Sequence, residues 1–198
     1  SVLVDVGAHV GYYTLIAATA VGERGKVFSF EGVQSTFKKL EQNVLLNGLE
    51  NVHLYNNIVH ESADVFAIYH SESSNTGRSR LAHEGPGITA TMERVSSVTL
   101  DGLFRGALTD RIDLVKIDAE GSELSVLRGM VDVLRTFSPK VLVEVSSENL
   151  EGQNLSPEDV FGFFRDLGYR AYRIRRNGKV EGPLNSAFED ELVLFSRE

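Results

Sequence analysis

The sequence predicts an α/β fold built on a mostly parallel sheet that finishes in an antiparallel strand, and three observations carry that expectation. From Ser1 to about Val145, short β-branched apolar runs alternate with longer segments of helical period. Most of these runs are continuously hydrophobic, as strands covered by helices on both faces are. The final two runs are separated by a strong turn signal and no helix-length apolar segment, so they should pair antiparallel.

The parallel strands are expected at Val2 to Val6, Lys26 to Glu31, Val52 to Asn57, Ile112 to Asp118 and Val141 to Val145. Tyr12 to Val21 is rich in Ala and Leu and stops at Gly22. Gln34 to Leu46 carries Phe37, Leu40 and Val44 at helical spacing and ends on Asn47-Gly48, a left-handed cap signal. Leu124, Leu127, Val131 and Leu134 repeat the helical pattern. Ser156-Pro157 supplies an N-cap and a proline at the first helical position, opening a helix through Phe163 and Leu167. Tyr169 to Arg176, the turn Asn177-Gly178, and Glu191 to Ser196 form the hairpin ending. Ser71 to Met92 has no period, and at that length it reads as a substrate loop or a plain insertion.

The chain has 198 residues, 28 acidic against 20 basic side chains and a net charge of −8. Residues 1–198 read as one domain, and the abrupt start on a strand reads as a core cut close to its first element. The apolar share of 42% excludes disorder as the overall state. With no Cys, disulfide frameworks, thiolate metal clusters and cysteine nucleophiles are excluded. No apolar run approaches the ~20 residues that cross a bilayer, so no membrane partner is expected and a cytoplasmic location is the expectation. The acidic balance argues against a nucleic-acid partner, which would need clustered Lys and Arg. A small molecule, cationic or neutral, suits this field better. Oligomeric state is not readable.

The first strand runs into Asp5-Val-Gly7-Ala8-His9-Val-Gly11 and then a helix. Such a turn lets a ligand approach the backbone and aims helix N-terminal amides at it. The glycines read G-x-x-x-G, so the dinucleotide fingerprint G-x-G-x-x-G is absent. Asp5 would repel a pyrophosphate and would favour a ligand's ammonium group. Glu31, ending the second strand, suits a bidentate hydrogen bond to two ribose hydroxyls, and the glycine turn at the right distance favours this over a solvated strand-end charge.

Five segments together resemble the FkbM-type S-adenosylmethionine-dependent methyltransferases: Asp5-Val-Gly-Ala-His-Val-Gly-Tyr-Tyr-Thr14, Ser29-Phe-Glu31, Phe37-Lys-Lys-Leu-Glu-Gln-Asn43, Val98-Thr-Leu-Asp101 and Leu114-Val-Lys-Ile-Asp-Ala-Glu-Gly-Ser-Glu-Leu-Ser-Val-Leu-Arg-Gly129. The likeness covers most of Ser1 to Val145, and Lys-Ile-Asp-x-Glu-Gly-x-Glu is its most specific piece. It implies a Rossmann-like class I methyltransferase fold with a seven-stranded, mostly parallel sheet, S-adenosylmethionine as methyl donor and a hydroxyl oxygen as acceptor. The donor site it implies is Asp5, Gly7, Ala8, His9 and Gly11 around the methionine half, with Glu31 on the ribose, Thr14 reaching the methionine carboxylate and Asn57 at the adenine edge. Gly32 departs from the family, which commonly has Pro after the acid; the expected effect is a looser backbone near the adenosine.

Asp118 and Glu120 follow the fourth strand, where open α/β sheets present ligands. Asp118 is the first candidate for a carboxylate at the reacting centre, and Glu144, ending the fifth strand, is placed to hold or deprotonate an acceptor across the cleft. Glu120 is a catalytic candidate or a group that bonds the amides at the next helix start; Glu123 reads as a partner of that helix dipole. The histidines at 53, 60, 70 and 83 lack metal-ligand spacing, and His60 is a lesser candidate base. No metal site is predicted; the minority reading would use Asp118 with Glu144. The alternatives to a methyltransferase acting on a small-molecule or sugar-type hydroxyl are an NAD-dependent oxidoreductase on a related sheet and a methyltransferase-like binding module that has lost catalysis.

Overall fold

The computed structural model describes residues 1–70, 79–81, 91–106, 108–175, 177–184 and 191–197. Five parallel strands form the middle of the main sheet: β1 (Val2–Val6), β2 (Lys26–Phe30), β3 (Val52–Tyr55), β8 (Leu114–Ile117) and β9 (Lys140–Val145). Beyond β9 lie β10 (Arg170–Ile174), β11 (Val180–Leu184) and β12 (Glu191–Ser196), giving the order β11-β10-β12-β9-β8-β1-β2-β3. The last strand, β12, inserts antiparallel between β9 and β10, as the ending of the sequence predicts. The turn at Asn177-Gly178 leads not to β12 but to β11, an edge strand paired with β10. The sheet therefore has eight strands among the described residues instead of the seven expected.

A second sheet, in the order β4-β7-β5-β6, consists of β4 (Ile58–Val59), β5 (Val65–His70), β6 (Ser79–Leu81) and β7 (Thr91–Val98). Sequence reading does not anticipate it. β7 alternates exposed Met92, Arg94 and Ser96 with residues facing inward, so it lacks the continuous apolar character of the main strands. Of the segment Ser71 to Met92 read as a loop, 79–81 and 91–92 are strand, and the remainder lies outside the described residues. Val33, Ile68 and Val95, with Ile58 and Phe66 against them, join this sheet to the body. A Cβ on Gly32 would meet Ile58 Cγ2 at 2.6 Å and Ile68 Cδ1 at 2.9 Å. Gly32 thus lets the second sheet close on the end of β2, where a looser backbone was expected.

Helices α1 (Tyr12–Val21) and α2 (Gln34–Leu46) pack Ala17, Ala18, Phe37, Leu40 and Val44 on one part of the sheet. The large core gathers Val4, Val6, Ile117 and Val143 with α3 (Leu100–Phe104), α4 (Glu123–Arg128), α5 (Val131–Phe137) and α7 (Pro157–Asp166); the short α6 (Ser147–Glu151) adds Leu150. The single helical pattern over Leu124 to Leu134 is broken in two at Gly129-Met130. At this break Gly129 packs against the chain at His60, where a Cβ would collide with the His60 carbonyl oxygen. The Ser156 N-cap forms as expected, its amide and hydroxyl both donating to Asp159 Oδ2 at 2.8 and 2.7 Å. Thr99 caps α3 by accepting from the Gly102 amide at 2.9 Å, and Asp101 accepts from the Val133 amide at 2.8 Å. The Val98-Thr-Leu-Asp101 segment is thereby a structural joint.

Between β8 and α4 the chain turns sharply, with Glu120 at φ +49° and Gly121 at φ +102°. Glu123 holds this turn: its Oε1 accepts from the Ala119 amide at 3.1 Å and the Gly121 amide at 3.0 Å, while Oε2 is buried without a hydrogen bond. Burial pushes the Glu123 carboxyl above the ordinary range, against the pull of those amides. The folded chain thus holds this proton more tightly than the unfolded chain does. The stability it contributes is fully present below the ordinary glutamate range and declines as pH rises through the elevated folded value. Glu123→Gln keeps an acceptor for both amides and removes the charge. Its melting temperature relative to wild type should improve by about 2–4 °C between pH ~4 and pH ~8; a difference independent of pH contradicts the assignment.

Candidate functional site

The parallel register places Ser29, Asp5 and Lys116 side by side on β2, β1 and β8. They form a polar row across an otherwise apolar sheet, and all three are buried. Thr14 of α1 sits on the row. Its hydroxyl donates to Asp5 Oδ2 at 2.6 Å and lies 2.9 Å from Ser29 Oγ. Lys116 Nζ donates to the Gly7 carbonyl at 3.0 Å and approaches Asp118 Oδ2 at 3.4 Å and Asp5 Oδ1 at 3.5 Å. One ammonium thereby ties the glycine turn to the end of β8.

A cavity of about 290 Å³ opens above this row, at the carboxyl ends of β1, β2 and β8. Its floor is Gly7, Ala8, Lys116 and Asp118, with Glu31 at one side; Asn57, Ile58, Val59 and Ile68 wall one end, and Tyr12, Tyr13 and Glu120 also line it. Gly7 is required here by close approach as well as by its φ of +73°, since a Cβ would collide with the Asp118 carbonyl oxygen. His9 takes φ +51°, a region that His and Asn enter more readily than most residues do. Its amide donates to Glu31 Oε2 at 2.9 Å, and the Val33 amide donates to Oε1 at 2.8 Å. Each carboxylate oxygen keeps a lone pair for a ligand, and the group cannot swing away. Burial pushes Glu31 up, opposed by those two amides and by the charge of Lys116.

Of the residues singled out from sequence, Gly7, Ala8, His9, Glu31, Asn57, Asp118 and Glu120 line the cavity. Asp5, Gly11 and Thr14 do not. Asp5 and Thr14 bond each other, so the Asp5 and Thr14 expected at a ligand's ammonium and carboxylate stand next to the lining and not in it. Gly11, at φ +99°, starts α1 and packs on Leu40, where a Cβ would sit 2.7 Å from Cδ1. Asn57 donates Nδ2 to the Ser96 carbonyl at 3.0 Å, which orients its amide. Glu144 lies outside the lining but interacts with Asp118 and Glu120. Partial desolvation first, then those two carboxylates, push it up, and it hydrogen-bonds Asp118. Glu120 lines the cavity and its Oε2 accepts from Asn149 Nδ2 at 3.0 Å, while the Ala119 and Gly121 amides ahead of α4 donate to Glu123.

His60 is not in the lining; its ring packs on Phe66 at 4.4 Å, and burial lowers its pKa. Among the described residues no group of three or more His, Asp or Glu side chains is arranged to hold a metal ion. No helix there is long and apolar enough to cross a membrane. Sequence reasoning missed Lys116, Tyr12 and Tyr13. The signal for Lys116 was present, because a lysine flanked by Val115 and Ile117 in a buried strand must be paired.

A model of the FkbM methyltransferase domain matches residues 5–171. A hexuronic acid methyltransferase of Haloferax volcanii is 28% identical over 159 residues, covering 80% of this chain. The chain spans 59% of that relative's length. Among solved structures, an FkbM methyltransferase from Methylobacillus flagellatus superposes with a TM-score of 0.64 at 15% identity, covering 98% of this chain and 42% of the other. A methyltransferase of Streptococcus mutans, solved in complex with S-adenosylhomocysteine, superposes at 0.53 with 11% identity over 98% of this chain and 86% of its own. These structures share the Rossmann-like class I methyltransferase fold. With the family model matched across the glycine turn, Glu31 and the whole Lys116 to Glu123 block, the chain belongs to the FkbM methyltransferases.

Proposed function

We propose that residues 1–198 act as one catalytic unit that transfers a methyl group from S-adenosylmethionine to a hydroxyl of a small-molecule or sugar-type acceptor. The observation that carries the donor assignment is Glu31, a carboxylate fixed by two backbone amides inside the cavity with one lone pair per oxygen left over. That is the acceptor pair a ribose diol needs. Gly7, whose missing side chain leaves the turn tight against the end of β8, and Ala8 would hold the methionine half, with His9 beside them, and Asn57, Ile58 and Ile68 would take the adenine. The cavity is acidic, with Glu31, Asp118 and Glu120 against Lys116, which suits a ligand carrying a sulfonium and an ammonium. A protein of the same fold that holds S-adenosylhomocysteine and a sugar-acid methyltransferase among the relatives support the reading.

When bound, the donor supplies an electrophilic methyl on sulfur, and the C–S electron pair returns to sulfur as the new C–O bond forms. The protein's share is to align the acceptor and receive its proton. Lys116 Nζ stands 3.4 Å from Asp118 Oδ2, and Glu144, pushed up first by partial desolvation and then by Asp118 and Glu120, lies against Asp118. Asp118, which lines the cavity, is the base that receives the acceptor's proton. These groups favour an enzyme over a binding module, and family membership sets the oxidoreductase reading aside.

By calorimetry the wild type should bind S-adenosylhomocysteine, and Glu31→Ala should lose affinity by about tenfold or more, the size of a charge-assisted hydrogen bond. Absence of binding of either the donor or this product overturns the donor assignment. For the chemistry, isotope-labelled donor and mass spectrometry against a panel of extracts should reveal a methylated product. Asp118→Asn should reduce its formation by about 10²-fold or more while product binding persists. Near-wild-type turnover removes Asp118 as the base.

A further inference from the structure

Helix α1 is apolar along its length, yet Thr14, Ala17 and Ala18 are its buried residues. Tyr12, Tyr13 and Ile16 face outward, with 68% of Tyr12 exposed. A helix of this composition ordinarily buries its apolar faces. The two tyrosines line the cavity, so the exposed aromatic surface is continuous with the site. Their rings meet edge to face with centroids 5.3 Å apart, and Lys116 Nζ stands 5.1 Å from the Tyr13 centroid and 3.4 Å from Asp118 Oδ2. A chain of contacts thus runs from Asp118, the proposed base, outward to Tyr12 at the mouth.

Charge restricts what can lie on that surface. Asp118 and Glu120 line this end of the site, and both act on Glu144. Lys116 is the cation in the described lining, and an ammonium has three donors. Lys116 Nζ lies 3.0 Å from the Gly7 carbonyl, 3.4 Å from Asp118 and 3.5 Å from Asp5, so its charge is already shared between two carboxylates of the protein. Resting on the donor reading above, we infer that Tyr12 and Tyr13 form the acceptor platform, and that it takes a neutral glycoside ring: a C–H face against the aromatic rings, hydroxyls at its edge toward Asp118. An amphipathic ring of this kind matches a tyrosine, which offers an apolar face and a polar tip. A uronate would bring a fourth carboxylate among three. This is where the chain parts from the hexuronic acid in its Haloferax volcanii relative's name.

The test is saturation-transfer NMR on the protein loaded with S-adenosylhomocysteine, with methyl β-D-glucopyranoside and methyl β-D-glucuronide as probes. The neutral glycoside should receive saturation on its ring C–H protons and exceed the glucuronide. Tyr12→Ala should weaken its binding about fivefold, and Tyr12→Phe should restore it, because the ring face and not the phenol is used. Calorimetry of S-adenosylhomocysteine binding by both variants is run alongside, and the glycoside should lose more affinity than the product does in Tyr12→Ala. Equal or stronger binding of the glucuronide, neutral binding indifferent to Tyr12→Ala, or no binding of either probe overturns the inference while leaving the donor reading intact. So does a dimer, seen by sedimentation, that Tyr12→Ala dissociates, since a second copy would then be the occupant. Failure of the wild type to bind S-adenosylhomocysteine is the separate failure of the donor reading.

Discussion

The ammonium of Lys116 is the contact on which the site depends. It sits in the third position of a strand whose other three residues are apolar, and it is buried. A lysine there is tolerable only with compensating charge and acceptors. Asp5 on β1, Asp118 at the end of β8 and the Gly7 carbonyl supply them. The same contacts that neutralise the lysine fix the glycine turn, aim Asp118 at the cavity and, through Asp5 and Thr14, lock α1 onto the sheet. α1 in turn carries the two tyrosines, so donor floor, base and acceptor mouth are set by one buried charge cluster.

This arrangement explains why some of the site is readable from sequence and some is not. Glu31 is legible because its place is local: an acid at the end of the second strand, near a glycine turn that precedes a helix. The contacts that Asp5 makes with Thr14 and Lys116 are not, since they turn on which face of β1 the helix covers and on the register with β8, information spread over distant parts of the chain. A motif ending in Asp118 and Glu120 draws attention to its carboxylates, while Lys116 within it passes as a strand residue. Asn177-Gly178 forms the turn its residue types imply, and β10 pairs antiparallel with β12 as the missing crossover helix requires. The edge strand β11 between them in sequence is invisible because Val180 to Leu184 is short, half-exposed and interrupted by Gly182 and Pro183. The second sheet escapes for a similar reason, its long strand β7 being amphipathic and polar.

The net charge of −8 acquires a local meaning. Four carboxylates, Asp5, Glu31, Asp118 and Glu144, are expected from sequence at strand ends facing one cleft. The structure gives them separate surroundings. Asp5 is sealed beneath the floor as a counter-ion, Glu31 is held by backbone amides at the cavity wall, and Asp118 with Glu144 forms an interacting pair at the open end. Those surroundings, and not the number of acids, distinguish ligand-holding from proton-handling groups.

A double-mutant cycle on Lys116 and Asp5, followed by denaturant unfolding at neutral pH, tests this dependence most directly. Lys116→Met leaves Asp5 as a buried unpaired charge and should cost about 3–5 kcal/mol. Adding Asp5→Asn removes that charge while leaving Thr14 an acceptor, so the double variant should be more stable than Lys116→Met alone. If Lys116→Met unfolds within about 0.5 kcal/mol of wild type, or if Asp5→Asn restores nothing, the buried cluster is not what organises the site.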